Sequence, residues 1–103
     1  MAHLRIKQIK RRLKTLPCWS KQAGTISRTY KFEGFLDGIY FVGLIAREAE
    51  QSNHHPDIDI RWNQVKLTLT THDEGGITGK DFLLAKQCDR VFDEFPPSPG
   101  KRP

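Results

Sequence analysis

No apolar run in these 103 residues approaches the ~18–20 needed to span a membrane. The first residues also lack the apolar core of an export signal. A soluble, cytoplasmic protein with no membrane partner is therefore expected. Cysteine is scarce: Cys18 and Cys88 lie far apart and form no CxxC pair. Without an export signal they read as reduced thiols rather than a disulfide. Neither is a candidate nucleophile, and Cys88 falls on the apolar stripe of an expected helix. Internal repeats and linkers are also missing, so the length allows one domain with a modest core, spanning 1–95. The Pro-rich residues 96–103 are expected to be a flexible tail. A domain of this size buries only about two-thirds of the surface its unfolded chain would expose, so self-association is a natural supplement. Acids are missing from the first fourteen residues, which carry Arg5, Lys7, Lys10, Arg11, Arg12 and Lys14. The rest of the chain has 11 basic and 12 acidic residues, so the net charge of +5 resides in one short segment. Such a segment can meet nucleic acid. A solvated helix face is the simpler reading, and a nucleic-acid partner is not expected.

What the chain does have is concentrated between Glu50 and Asp81, where three of its four histidines lie. Ile58, Ile60 and Trp62 alternate with Asp57, Asp59 and Arg61, then Val65, Leu67 and Leu69 with Lys66, Thr68 and Thr70. Two half-buried strands with a turn at Asn63-Gln64 make a hairpin. Its far ends come back together, which brings His54-His55 at the entry beside His72 at the exit. Imidazoles among carboxylates can donate and accept protons near neutral pH.

The remaining elements surround this hairpin. Residues 3–15 read as a helix with Leu4, Ile6, Ile9, Leu13 and Leu16 as its apolar stripe, ended by Pro17. Trp19 is a packing anchor leading into a first strand. Gln22-Ala23-Gly24 is turn-like, and Thr25–Phe32 alternates as a strand whose dry face is interrupted by Arg28. A second helix begins with Asp37 as its N-cap. It carries Ile39, Val42, Ile45, Ala46 and Ala49, with Gly43 marking a close approach to a neighbour. Thr78-Gly79-Lys80-Asp81 is a capping box that opens a third helix bearing Leu84, Cys88, Val91 and Phe95. The expected fold class is α+β: a four-stranded antiparallel sheet with three helices packed on one face.

The spacing Glu50-x3-His54-His55-Pro56-x5-Trp62-x9-His72-x8-Asp81 resembles the pterin-4a-carbinolamine dehydratase signature. The resemblance runs outward from Leu13-Lys14-Thr15-Leu16-Pro17-x-Trp19 to about Phe92. It implies the same fold, assembly as a homodimer or homotetramer, and a pterin substrate with no cofactor. It further implies that His54, His55 and His72 are the active-site histidines, with Glu50 orienting His54. His54 is then the acid at the leaving hydroxyl and His72 the base at the ring nitrogen. His55 binds substrate and shares proton transfer. Pro56, Trp62, Thr71, Asp73 and Glu74 complete the substrate-binding set, with backbone groups near Thr71 reading the pterin's amide edge. Asp81 fills the last motif position, more as a helix cap than as a catalyst.

Two competing functions are weighed against this one. Three histidines with Glu50 or Asp73 could ligate zinc. Adjacent histidines on an extended strand entry point to opposite sides, however, and HExxH is absent, so no metal site is expected. The other competitor is a non-catalytic module on the same fold, acting as an oligomerisation or assembly partner or a transcriptional coactivator. A pure scaffold has no need of Glu50, His54, His55 and His72 together.

Overall fold

Alternation from Asp57 onward produces the hairpin at the edge of the sheet, seen in a computed structural model that describes residues 2–95. In chain order the elements are α1 (Ile6–Leu13), β1 (Ser20–Gln22), β2 (Thr25–Lys31), α2 (Phe35–Ser52), β3 (Asp57–Arg61), β4 (Gln64–Leu69) and α3 (Gly79–Asp93). The four strands are antiparallel in the order β1-β2-β4-β3. The expected tail at 96–103 lies outside the described residues.

Residues opposite one another in an antiparallel pair share a face. Ile26 faces Leu69, Tyr30 faces Val65, and Ile58 and Ile60 face Leu67 and Val65. That face takes the helices: Ile9 from α1, Phe41 and Ile45 from α2, and Phe82, Leu84, Ala85 and Cys88 from α3 join the strand residues in one core. The other face carries Ser27, Thr29, Lys66 and Thr68, none of which belongs to the core. Aromatic rings fill the space between β2, α2 and α3. Tyr30 lies 4.8 Å from Phe41 and 5.0 Å from Phe92, and Phe32 lies 5.1 Å from Phe41.

Several local expectations are corrected. α1 begins at Ile6, not at residue 3, because the Leu4 amide donates to the Ile77 carbonyl and holds that segment extended. Ile6 faces solvent rather than joining the stripe. α2 begins two residues before Asp37, with Gly34 as N-cap and Asp37 inside the first turn. The close-approach glycine of α2 is Gly38, where a Cβ would sit 3.3 Å from Val65 Cγ2; at Gly43 it would meet nothing within 4 Å. The hairpin turn is Trp62-Asn63, because Arg61 pairs with Gln64. Trp62 takes a left-handed φ of 49°, and the buried Asn63 side chain donates to the Phe32 carbonyl. β3 is not half-buried: it is an edge strand beyond the helical cover, and Ile58 and Ile60 remain partly exposed.

Arg28, which interrupts the dry face of β2, has a partner on α3. Asp89 Oδ1 accepts from Arg28 Nη1 at 2.7 Å, from the Tyr30 hydroxyl at 2.6 Å and from Trp19 Nε1 at 3.0 Å. Trp19 is thus the expected packing anchor, buried and tied by its indole N–H. Burial, followed by the hydrogen bond to Asp89, pushes the Tyr30 phenol above its ordinary range.

Candidate active site

The site begins where α2 stops. Asn53 turns left-handed at φ 51°, and its amide reaches the Glu50 carbonyl while the His54 amide reaches that of Ala49. These paired bonds form a Schellman closure. Asn tolerates the left-handed position better than most residues, which suits the Ser52-Asn53-His54 sequence. The closure ends the helix at a fixed point, and Pro56 then keeps the chain extended into β3.

His54 and His55 separate to opposite sides. The His54 ring turns inward, where Nε2 lies 2.6 Å from Asp81 Oδ1; its side chain is 11% exposed and that of Asp81 0%. A carboxylate only accepts hydrogen bonds, so Nε2 carries the proton and Nδ1 is left for another group. Asp81 Oδ2 accepts from Thr71 Oγ1 and from the Thr78 amide, both at 2.9 Å. His55 turns outward and its Nε2 lies 2.6 Å from Glu50 Oε2, both side chains being well exposed. An exposed pair of this kind contributes little to stability, but it holds the ring against the end of α2.

His72 opens a 3₁₀ turn, His72–Glu74, separated from β4 by Thr70 and Thr71. Thr71 and Gly76 bridge across this turn, and Gly75 takes the left-handed φ of 75° that a glycine tolerates. Asp57 opposite Thr68 puts the entry to β3 and the exit from β4 at one end of the hairpin. The segment His54-His55-Pro56 that enters β3 and the segment His72-Asp73-Glu74 that follows β4 therefore lie at that end of the hairpin. Among the described residues the His72 side chain has no hydrogen-bond partner, so its ring nitrogens are open to a ligand. No three His, Cys, Asp or Glu side chains among the described residues are grouped to hold a metal ion.

Five sequence expectations change here. Glu50 pairs with His55, not with His54, because the Schellman turn carries His54 past the helix end and inward. Asp81 is both the cap of α3 and the partner of His54. Thr71 does not offer an edge to a ligand: it is buried, its hydroxyl is committed to Asp81, and its amide and carbonyl are bonded to Gly76. Trp62 does not join the histidines, since the five β3–β4 ladder pairs separate it from them by roughly 17 Å of strand. His3 lies before α1 rather than in it, and its ring packs near Gly76, in the loop that follows His72.

The family model described as pterin 4 alpha carbinolamine dehydratase matches residues 2–91. This chain belongs to the pterin-4-alpha-carbinolamine dehydratase family. A candidate dehydratase of this name from Acidobacterium capsulatum is 51% identical over 92 residues, covering 89% of this chain and 100% of the relative. One from Roseiflexus castenholzii is 48% identical over 85 residues, covering 82% and 91%. Among solved structures, a protein described as a transcriptional coactivator/pterin dehydratase from Brucella melitensis superposes with a TM-score of 0.83 at 31% identity. It covers 86% of this chain and 97% of that one. A pterin dehydratase-like protein described as a RuBisCO assembly factor of the alpha-carboxysome matches at TM-score 0.58 and 18% identity, over 71% of this chain and 84% of that one. At that identity the likeness is one of fold. The residue that the sequence reading placed only as a cap is Thr78, whose hydroxyl also meets that of Thr71 at 2.8 Å. The sequence signal was its capping box with Asp81; that the box also faces His54 depends on how β4 and α3 meet.

Proposed function

We propose that this chain dehydrates a 4a-hydroxytetrahydropterin to quinonoid dihydropterin and water, in the cytoplasmic recycling of tetrahydrobiopterin. The observation that carries this reading is the buried His54–Asp81 pair, 2.6 Å long, set beside the turn that presents His72. Asp81 holds His54 through Nε2 and offsets the positive charge of its imidazolium, so the Nδ1 proton can be given to the departing hydroxyl. The C4a–O bond breaks and the oxygen leaves as water. His72 takes the proton from the adjacent ring nitrogen, and the electron pair left there forms the C=N bond. No electrons leave the ring system, so neither metal nor redox cofactor is required. His55, braced by Glu50, binds the substrate and shares proton transfer, while Pro56, Asp73 and Glu74 form the rim. General acid and base groups of this kind contribute about 10²–10⁴-fold.

The deciding experiment follows dehydration of synthetic 4a-hydroxytetrahydropterin with the spontaneous rate subtracted and a chelator present. Acceleration by the purified protein supports the proposal. Absence of acceleration, or a rate abolished by chelator and restored by zinc, overturns it.

A second reading, a binding module, is favoured by one observation. Phe35, Leu36, Ile39 and Tyr40 of α2 are exposed, as are Ile58 and Ile60 of the edge strand. That surface suits self-association into a homodimer or homotetramer, or a protein partner. Light scattering that shows only monomer at micromolar concentration contradicts the first of these.

A further inference from the structure

We infer that Thr71 is a positioning residue that holds the acid His54 and the base His72 in one geometry; this rests on the roles assigned to those histidines above. Its side chain and its backbone serve different halves of the site. The hydroxyl donates to Asp81 Oδ2 at 2.9 Å, and the other oxygen of that carboxylate holds His54 Nε2 at 2.6 Å. The Thr71 carbonyl accepts from the Glu74 amide at 3.0 Å and the Gly76 amide at 3.3 Å, while its amide donates to the Gly76 carbonyl at 3.0 Å. Those bonds close the turn whose first residue is His72. Two hydrogen bonds and one peptide link therefore connect the two histidines.

The direction of the network follows from counting protons. A threonine hydroxyl has one proton and a carboxylate has none. Thr71 gives its proton to Asp81, so in the 2.8 Å contact between hydroxyls Thr78 Oγ1 must donate to Thr71 Oγ1. Thr78 Oγ1 in turn accepts from the Lys80 amide at 3.2 Å. Every donor thus points the same way, from the first turn of α3 through two hydroxyls to the carboxylate. Successive bonds of one polarity reinforce one another. Thr71 and Asp81 are both buried, so water does not replace a lost member. Acid and base that must act on neighbouring atoms of one ring lose rate steeply when displaced by about 1 Å.

The test compares Thr71→Val, which keeps the shape without the hydroxyl, with Thr71→Ser, which keeps the hydroxyl. Thr71→Val should lower kcat about tenfold, the scale of one hydrogen bond to a charged group, with KM within about twofold. Thr71→Ser should restore kcat to within about twofold of the parent. A second readout does not depend on turnover: the downfield NMR signal of the His54 Nε2–H proton should be present in the parent and in Thr71→Ser, and lost or broadened in Thr71→Val. Should Thr71→Val fail to fold, Thr78→Val removes the proton that orients Thr71, and should show the same changes at smaller amplitude. An unchanged signal and unchanged kcat in the folded variant overturn the inference, as does a loss in KM alone or a failure of serine to rescue. A parent protein without dehydratase activity overturns the proposed function instead, and the NMR comparison still decides the role of Thr71.

Discussion

Replacing Asp89 by alanine should be among the most damaging single changes outside the histidine-bearing end of the molecule. Asp89 Oδ1 is the common acceptor for the Arg28 guanidinium, the Tyr30 hydroxyl and the Trp19 indole. The Arg28 and Asp89 side chains are 15% and 20% exposed, so water reaches the cluster only at its edge. Breaking a buried ion pair from one side costs about 3–5 kcal/mol, chiefly because the remaining charge is left uncompensated. Partial exposure lowers that figure, and Arg28 keeps its stacking at 4.2 Å over the Tyr30 ring. Two further donors lose a partner, which raises it again. The expected loss is about 3 kcal/mol, which for a domain of this size lowers Tm by roughly 12–24 °C. Asp89→Asn keeps an acceptor oxygen and should lose only about 1–2 kcal/mol. Removing the stranded charge as well, with Arg28→Met, should recover part of the Asp89→Ala loss. Urea unfolding followed by far-UV circular dichroism measures all four proteins. An Asp89→Ala variant within about 0.5 kcal/mol of the parent, the ordinary range of a surface change, refutes the reasoning. So does an Arg28→Met change that recovers nothing.

Further outcomes follow from the same structure. Gly38→Val should destabilise by about 1–3 kcal/mol through overpacking, since even a Cβ would lie 3.3 Å from Val65; denaturant unfolding checks this. Gly43→Ala meets nothing within 4 Å and should stabilise α2 by roughly 0.5–1 kcal/mol; a loss in Tm contradicts it. The Cys88 thiol is pushed up to about 12 by burial, then by the Asp89 and Glu48 carboxylates, from an ordinary 9.0. A group that holds its proton more tightly when folded gives stability that is complete below its unfolded pKa and is lost as pH rises through the folded one. Unfolding free energy should therefore fall between about pH 9 and 12, by up to about 1.4 kcal/mol per unit from this group, and Cys88→Ala should lessen the slope. A parent curve flat to pH 11 contradicts this. In the native protein at neutral pH, iodoacetamide should label the exposed Cys18 and spare Cys88; equal labelling refutes it.

Strong local periodicity explains which elements were legible in the sequence. The hairpin and the third helix with its Thr78–Asp81 box follow from alternation, capping and turn chemistry, and the histidine set is marked by its resemblance to the family signature. What could not be read depends on which faces meet. Arg28 looked like an interruption of the dry face because Asp89 lies sixty-one residues away on another element. Gly38 and Gly43 are equivalent as helix residues, and only the docking of α2 onto Val65 distinguishes them. Glu50 has the right spacing for His54 in an unwinding helix, but the left-handed turn at Asn53 swings His54 inward and leaves His55 to Glu50. Asp81 was legible as a cap; its bond to His54 arises only when β4 and α3 close around Thr71. The turn moved by one residue because the Asn63 amide bonds the end of β2.

The central claim is that the histidines at the hairpin's open end transfer protons to and from a carbinolamine. Stopped-flow dehydration of synthetic 4a-hydroxytetrahydropterin by His54→Ala, His72→Ala and the double variant tests it most directly. Each single change should lower kcat by about 10²-fold, and the double variant should lose much less than the product of the two, because groups acting as a unit are not additive. Folded His54→Ala and His72→Ala proteins that keep near-normal turnover would contradict the account and leave the histidine cluster a structural feature.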